Sequence, residues 1–416
     1  MNLKLKKLID FWLGGAAVAL LYLPVRFAGL LLKREHRLTP PRHLAFVKLL
    51  GGGSLLYLLP TIQSLKATYP QIRVSLVCSR QIKAFAETYG VFDEIQVLDD
   101  KTIGSLIGSS LRTLLWLFQN IDTTIDLEVH SRLTTIFTTI SLAPNRIGLV
   151  DHRSLWRKRI YSHAVYTNPF QTIYDYYDAI AALFDIKTIN LKTAQRAFRE
   201  QILKVTLKEN IENYFCVGVG CSDLALERML TEKEWSQHLE AIALNYPNLT
   251  ICFLGNQKDS LEVEKIVNLL SKEVQSRVKN LCGKLNLQES CRILIEARFY
   301  IGIDSALVHL ARFLEKPVIS FWGPTNPTAL MRPLPSPSLA IYKKLLCSPC
   351  VHLTEKPPCN GQNICNQHSD KTKQIIEFIQ NDLEIKVPAK VRHVDFWTYY
   401  PDNSETPRRL SLEVEY

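Results

Sequence analysis

The sequence predicts an α/β protein of two Rossmann-like domains facing one cleft, with a hydrophobic helix in front of them. Three observations support this. Short apolar runs alternate with longer amphipathic stretches, the rhythm of strand–helix units that build a parallel sheet. That rhythm fades after residue 150 and restarts at Tyr214, which gives two such units. The chain of 416 residues also exceeds one ordinary core and fits two domains plus appendages.

Hydrophobic residues make up 47% and charged residues 22% of the chain, a globular balance that excludes wholesale disorder. The formal net charge of +10 favours anionic partners: acidic lipid headgroups, phosphorylated substrates or nucleic acid. Basic clusters lie at Lys4-Lys6-Lys7, Lys33-Arg34-Arg37 and Arg153-Arg157-Lys158-Arg159. None is interleaved with aromatic residues in the RNP pattern of RNA-binding sheets, and the sequence has no zinc-finger or basic-zipper pattern, so no nucleic-acid partner is expected. Cys78, Cys216, Cys252 and Cys282 sit in apolar runs as small core residues. The ten cysteines form no dense framework, which favours a reducing compartment.

Residues 1–38 form the hydrophobic segment. Phe11 to Val25 is an uncharged run preceded by three lysines, and the apolar pattern resumes after Arg26 as far as Leu32. A spanning helix needs about 20 apolar residues, and Pro24 and Arg26 interrupt this one. The expected arrangement is a helix lying in the headgroup region, with Phe11, Trp12, Tyr22 and Phe27 at the boundary and the lysines on anionic lipid. A single crossing and a helix packed on the protein itself are the alternatives.

Residues 42–205 are expected to form the first domain. His43 to Leu49, Arg73 to Val77, Glu94 to Val97, Thr123 to Leu127 and Arg146 to Gly148 read as strands. Gly51-Gly52-Gly53 follows the first, and Ser54 opens an amphipathic helix carrying Leu55, Leu58, Leu59, Ile62 and Leu65. Residues 151–205 read as mostly helical. Residues 206–385 form the second domain, with strands at Tyr214 to Val219, Leu249 to Leu254, Val278 to Cys282, Phe299 to Ile303 and Pro317 to Trp322. Helices fall between them at Glu232 to Asn245, Ser260 to Ser271 and Leu287 to Ala297. A tail of residues 386–416 follows.

The chemistry concentrates where the Phe299 to Ile303 strand turns into a helix at Asp304-Ser305. Ser305 is a good N-cap residue, and the amides of Ala306 and Leu307 open a helix at a strand's carboxyl end. Such an end receives an anion such as a diphosphate. His309 falls one turn later on the same face as Ser305, in reach of a phosphate oxygen; a buried core histidine is the structural alternative. Phe299-Tyr300-Ile301-Gly302-Ile303-Asp304-Ser305-Ala306-Leu307-Val308-His309, with Phe321-Trp322-Gly323-Pro324-Thr325-Asn326-Pro327 after it, resembles the signature of glycosyltransferase family 9. These are the heptosyltransferases of lipopolysaccharide core assembly. The resemblance departs at Ala306, where the family usually has Gly.

The resemblance implies a GT-B-like fold, with an acceptor-binding first domain and a second domain that binds a nucleotide sugar. It implies inverting transfer from a donor such as ADP-heptose to a lipid-linked glycan acceptor, with no required metal or other cofactor, at the cytoplasmic face of the inner membrane. Gly51-Gly52-Gly53-Ser54 resembles the family's first loop, and Gly53 is counted with the donor site. Ser54 stands where the family has the Asp regarded as general base. A hydroxyl is no base near neutral pH without a partner, so Asp126, Glu128 and His130, on one face of a first-domain strand end, are the candidate substitutes. Ordinary strand-end polarity is the alternative for each. In the second domain, Arg228 aligns with a family Lys that faces the donor phosphates, where a guanidinium would bind bidentately. Asp259 is placed to accept from the donor ribose or base.

Cys347, Cys350, Cys359 and Cys365, in a loop spanning 347–365, have spacing that can hold a structural zinc, with His352 and His368 as alternative ligands. A loop of reduced thiols is the other reading. Two rivals to the transferase reading stand: a non-catalytic relative that binds nucleotide or glycolipid as an assembly subunit, favoured by Ser54, and a nucleotide-sugar epimerase, disfavoured by the hydrophobic segment.

Overall fold

The computed structural model describes residues 3–32, 36, 38, 40–168, 170–186, 191–207, 211–221, 225–351, 357–383, 392–398 and 408–414. Lys33, Arg34, Arg37, Thr39, His352 and the Tyr399-Tyr400 pair lie outside the described residues, as do the side chains of Lys4, Lys6, Lys7, Phe11 and Arg159.

Two parallel six-stranded sheets form the body. The first contains β1 (His43–Lys48), β2 (Arg73–Ser79), β3 (Glu94–Leu98), β4 (Thr123–Asp126), β5 (Asn145–Val150) and β6 (His163–Tyr166), in the order β3-β2-β1-β4-β5-β6. β1 and β5 are buried along their whole length, which is why the Leu44 to Val47 stretch of β1 reads in sequence as an apolar run and not as alternation. The strand order reverses between β1 and β4, so the crevice for a ligand opens at their carboxyl ends.

The helices of this half are α1 (Leu3–Leu31), α2 (Leu59–Thr68), α3 (Arg80–Tyr89), α4 (Ile103–Asn120), α5 (Arg132–Ile140), α6 (Ile173–Ala182) and α7 (Leu191–Leu203). Right-handed crossovers put α2 and α3 on one face of the sheet and α4 and α5 on the other. Side-chain alternation agrees: Leu44, Phe46, Leu76 and Cys78 join the core shared with α2 and α3. Ala45, Val47 and Val77 pack with Leu117 of α4 and Phe137 of α5. α1 runs unbroken through Pro24 and packs along the outside of α5. Among the described residues, no helix is long and apolar enough to cross a membrane.

The second sheet contains β7 (Tyr214–Gly218), β8 (Thr250–Phe253), β9 (Val278–Asn280), β10 (Tyr300–Ile303), β11 (Val318–Trp322) and β12 (Ser338–Tyr342), in the order β12-β11-β10-β7-β8-β9. Around it lie α8 (Glu232–Asn245), α9 (Asp259–Asn268), α10 (Lys272–Gln275), α11 (Leu287–Glu296), α12 (Ala306–Phe313), α13 (Pro327–Leu330) and α14 (Thr372–Phe378). The switch point here falls between β7 and β10. Gly218 and Gly302 are partners across those two strands, and a Cβ at either would meet the Tyr300 hydroxyl within 2.2 Å. The glycines make room for that ring at the strand ends. In the tail, β13 (Arg392–Thr398) and β14 (Arg408–Val414) form an antiparallel pair.

β6 and β12 are not among the strands read from sequence. Both are edge strands with exposed positions, and half-exposed short strands lack the apolar run that marks a central one. Ser54 lies inside a 3-10 turn, Gly52–Leu58, that precedes α2 instead of opening the α-helix itself. The two halves share one apolar seam, in which Phe198 of α7 sits edge-on between Tyr89 of α3 and Phe313 of α12.

Candidate active site

α12 begins at the carboxyl end of β10, facing the first half. Gly51 has φ of 72° and Ser54 N–H donates to its carbonyl at 3.0 Å, which folds the loop after β1 tightly. That turn abuts the start of α12: a Cβ at Gly53 would lie 3.2 Å from Ala306 Cα and 3.3 Å from Ala306 Cβ. The methyl group of Ala306 is thus accommodated by the missing side chain of Gly53. The Ser54 hydroxyl donates to Gly51 O at 2.7 Å, so it closes the turn.

Ser305 stands at the N-cap of α12 in extended conformation, but its side chain makes no cap hydrogen bond. The expectation that its hydroxyl caps the helix is corrected here. The first amides of a helix have no intrahelical acceptor, and they face the side from which the Gly53 turn approaches. Leu307 turns its side chain into the shared core, so its amide is the part available to a ligand.

Behind the helix start lies a buried polar chain. Arg228 Nη1 stands 3.5 Å from Asp304 Oδ2, and His309 Nε2 stands 3.3 Å from Asp304 Oδ1. Tyr57, from the first half, meets His309 Nδ1 with its hydroxyl, and the Leu330 carbonyl lies 3.3 Å from the same oxygen as a second acceptor within reach. Burial raises the Tyr57 hydroxyl far above its ordinary value, so it stays protonated and donates. The imidazole turns Nε2 toward the Asp304 carboxylate and Nδ1 toward the Tyr57 hydroxyl. Burial alone would raise the Asp304 carboxyl, but His309, Arg228 and Thr325 outweigh it and hold the carboxyl below its ordinary value. Both ring nitrogens of His309 are engaged with protein groups in this state, so its reach to a phosphate oxygen requires one of those bonds to be exchanged.

Arg228, Asp304, Ser305, Ala306, Leu307, His309 and Gly53 are therefore gathered at one place. Asp259 is at the neighbouring strand end, but its carboxylate accepts from Asn256 N–H at 2.8 Å and fills the space beside Gly220 and Gly255. Its oxygens serve that turn, not an open ligand face.

The three candidate bases differ. Asp126 is fully buried and its carboxylate pairs with Arg157 Nη2 at 2.5 Å and accepts from Tyr161 at 2.6 Å. It is a structural ion pair closed to substrate, and the expectation of a base there is corrected. Glu128 accepts from Leu49 and Leu50 N–H at 2.9 and 2.8 Å and from Lys48 at 3.3 Å. All three bonds fall on Oε1, and through that oxygen Glu128 clamps the chain just before Gly51 and positions the loop. His130 alone has a half-exposed side chain; Arg153 donates to its Nε2 at 3.0 Å. Burial of part of the ring, opposed by Asp151 and aided by Arg153, lowers it from its ordinary value, which keeps it unprotonated at neutral pH.

The cysteine-rich segment braces this site. Cys350 and Val351 N–H both donate to Pro324 O at 3.0 Å. Asn366 donates to Glu227 O at 2.6 Å, beside Arg228, and a Cβ on Gly323 would meet Cys365 O at 2.7 Å. All four cysteines are free, and among the described residues no three His, Cys, Asp or Glu side chains group to hold a metal. His368, offered as an alternative ligand, is fully buried against the Phe321 ring.

The glycosyltransferase family 9 (heptosyltransferase) model matches residues 119–359, more than half of the chain and inclusive of the whole α12 region. The chain belongs to glycosyltransferase family 9. It is 32% identical over 80 residues to lipooligosaccharide heptosyltransferase 2 of Haemophilus ducreyi, a stretch covering 19% of this chain and 23% of that protein. It is 26% identical over 157 residues to the Campylobacter jejuni protein of the same name, covering 36% and 49%. The matched stretches thus span about a quarter to a half of the length of these relatives. Two solved structures share the two-lobed architecture at 15% identity. Escherichia coli ADP-heptose lipopolysaccharide heptosyltransferase II has a TM-score of 0.59 and covers 82% of this chain and 98% of its own. An Escherichia coli heptosyltransferase solved with ADP has a TM-score of 0.60 and covers 80% and 99%. The family member described here therefore has the GT-B fold.

Proposed function

We propose that this chain is an inverting glycosyltransferase that moves a heptose-like sugar from ADP-heptose to a lipopolysaccharide-type acceptor at the cytoplasmic face of the inner membrane. The observation that carries the reading is the start of α12, which has no side-chain cap hydrogen bond, is held by the Arg228–Asp304–His309 chain and is faced by the Gly53 turn. A diphosphate there meets helix amides, and Arg228 supplies positive charge one residue contact away. An acceptor hydroxyl attacks C1 of the donor sugar, the C1–oxygen bond to the diphosphate breaks, and the nucleoside diphosphate leaves with the electron pair. Orientation across the cleft and fixed dipoles at the departing phosphate lower the barrier. His130 is the most exposed of the three candidate bases, and it receives the acceptor proton at Nε2 once Arg153 releases that nitrogen. The family membership and the relatives' names support the donor and acceptor classes, and α1 is read as the segment that meets the anionic membrane surface.

Ser54 favours a second reading, a non-catalytic family member that binds nucleotide or glycolipid as an assembly subunit. Its hydroxyl is spent on Gly51, and the Gly51 to Ser54 turn offers no carboxylate. Incubation of the purified full chain with ADP-heptose and a heptose-deficient lipid acceptor separates the two. Release of ADP with a mass gain of one heptose on the lipid is the expected result, and a His130→Ala variant is expected to lose at least about a hundredfold in kcat, the scale of general-base catalysis. Nucleotide binding without turnover by the wild-type chain would establish the non-catalytic reading.

A further inference from the structure

α4 has its polarity reversed for a surface helix. Its buried positions are Ser109, Thr113 and Leu117, whereas Ile103, Ile107, Leu111, Leu115 and Phe118 are 47–61% exposed. These five recur every three or four residues and form one outward stripe. The inner side already packs Leu117, with Leu106, Leu114 and Trp116 beside it, on the core, so the outer aliphatic stripe is surplus to what holds the helix on the sheet. Ser109 satisfies itself locally, donating to Ser105 O at 2.8 Å and accepting from Asp99 N–H at 2.9 Å, so its burial carries no ligand requirement.

The same face of the first sheet carries α5, and α1 lies along α5. α1 also turns apolar side chains outward: Trp12, Leu20, Leu23, Phe27 and Leu30 are 64–77% exposed. Among the described exposed side chains of α1 and α4, the charged ones are Arg26 and Arg112, both positive. Two uncovered aliphatic stripes on one side of the molecule, fringed among the described exposed side chains by Arg26 and Arg112, match an anionic bilayer interface, where apolar groups enter the acyl boundary and guanidinium groups meet phosphates. A protein partner of ordinary composition offers no reason for the one-signed fringe.

The geometry points to α4 as a second membrane-docking element, which seats the first domain on an anionic phospholipid surface together with α1. This rests on the reading that α1 meets the membrane, and it adds an orientation: two separated stripes fix the tilt of the domain, whereas one helix alone leaves it free to swivel. A fixed tilt holds the crevice at the carboxyl ends of the first sheet at a constant attitude to a lipid-borne acceptor.

The test is flotation of the full chain with vesicles of phosphatidylethanolamine and phosphatidylglycerol, alongside Leu111→Glu/Leu115→Glu in α4 and Leu20→Glu/Leu23→Glu in α1. Both pairs are exposed, so melting temperature should stay within a few degrees of wild type. The expected result is a loss of at least about tenfold in vesicle partitioning for each double variant. The α4 variant is also expected to keep its rate on a water-soluble acceptor fragment and lose rate on vesicle-borne acceptor. Unchanged partitioning of the α4 variant, with loss in the α1 variant, would overturn the role of α4 and leave the α1 reading standing. No partitioning of the wild type would overturn both, whereas partitioning without turnover would leave docking intact and remove the transferase reading. A wild-type dimer in sedimentation that the α4 changes dissolve, with partitioning unaltered, would assign the stripe to a second copy of the chain and overturn the proposal.

Discussion

Individual side chains in this protein mostly act by what burial does to their charge. Arg157 looks in sequence like one member of a surface basic cluster, yet it is fully buried and paired with Asp126. Its guanidinium also donates to Leu149 O and Thr135 Oγ1, each at 3.0 Å. Nothing local in the sequence distinguishes it from Arg153 or Lys158; the distinction lies in a carboxylate 31 residues away. His238 and His368 offer the sharpest consequence of burial. Both are fully buried on either side of Phe321, and desolvation lowers each from 6.5 to about 4. The folded state thus resists protonation that the unfolded chain accepts. Stability is complete above the unfolded value of 6.5 and falls as pH drops from there toward 4, with roughly 3 kcal/mol at stake for each ring. Urea titrations at a series of pH values are expected to give falling midpoints over this window, and His368→Leu is expected to flatten the slope. A midpoint constant down to pH 4.5 would contradict this.

At the level of elements, the decisive contact is between the 3-10 turn after β1 and the first turn of α12. Tyr57 bonds His309 across a sequence separation of 252 residues, and its ring packs 4.4 Å from Tyr174 on α6. Tyr57→Phe removes the hydroxyl and leaves the ring. The expected outcome is a fall of about tenfold in kcat/KM, the worth of one hydrogen bond of about 1.4 kcal/mol, with a melting temperature lowered by only a few degrees. Steady-state assays with ADP-heptose check the rate, and an unchanged rate would show that the bond has no part in holding the site. The Asp304-to-His309 segment of this contact was legible, because a helix start after a strand is written in consecutive residues. Tyr57 was not, since it lies within a leucine-rich run whose other members are core. Central strands such as β1 and β11 were legible for the same local reason, their burial on both faces leaving an apolar stretch. β6 and β12 escaped because an edge strand exposes part of its length.

For the whole molecule, two sheets with their switch points turned toward a common crevice concentrate helix starts and loop turns where a donor and an acceptor can meet. The fold was the most legible feature, since its repeat is coded throughout the chain. The source of the base was the least, because Ser54 breaks the resemblance and the substitutes differ only in burial. Asp126 is consumed by Arg157 and one oxygen of Glu128 is held by the β1 loop, which leaves His130 as the most exposed of the three. The cysteine-rich segment likewise suggested metal chemistry by spacing alone, whereas its backbone braces the Pro324 and Arg228 turns. The central claim is that the start of α12 receives the donor diphosphate, and a crystal of the full chain soaked with ADP tests it most directly. The account predicts phosphate density against the amides of Ala306 and Leu307, within reach of Arg228. Nucleotide bound elsewhere, with that pocket empty, would contradict it.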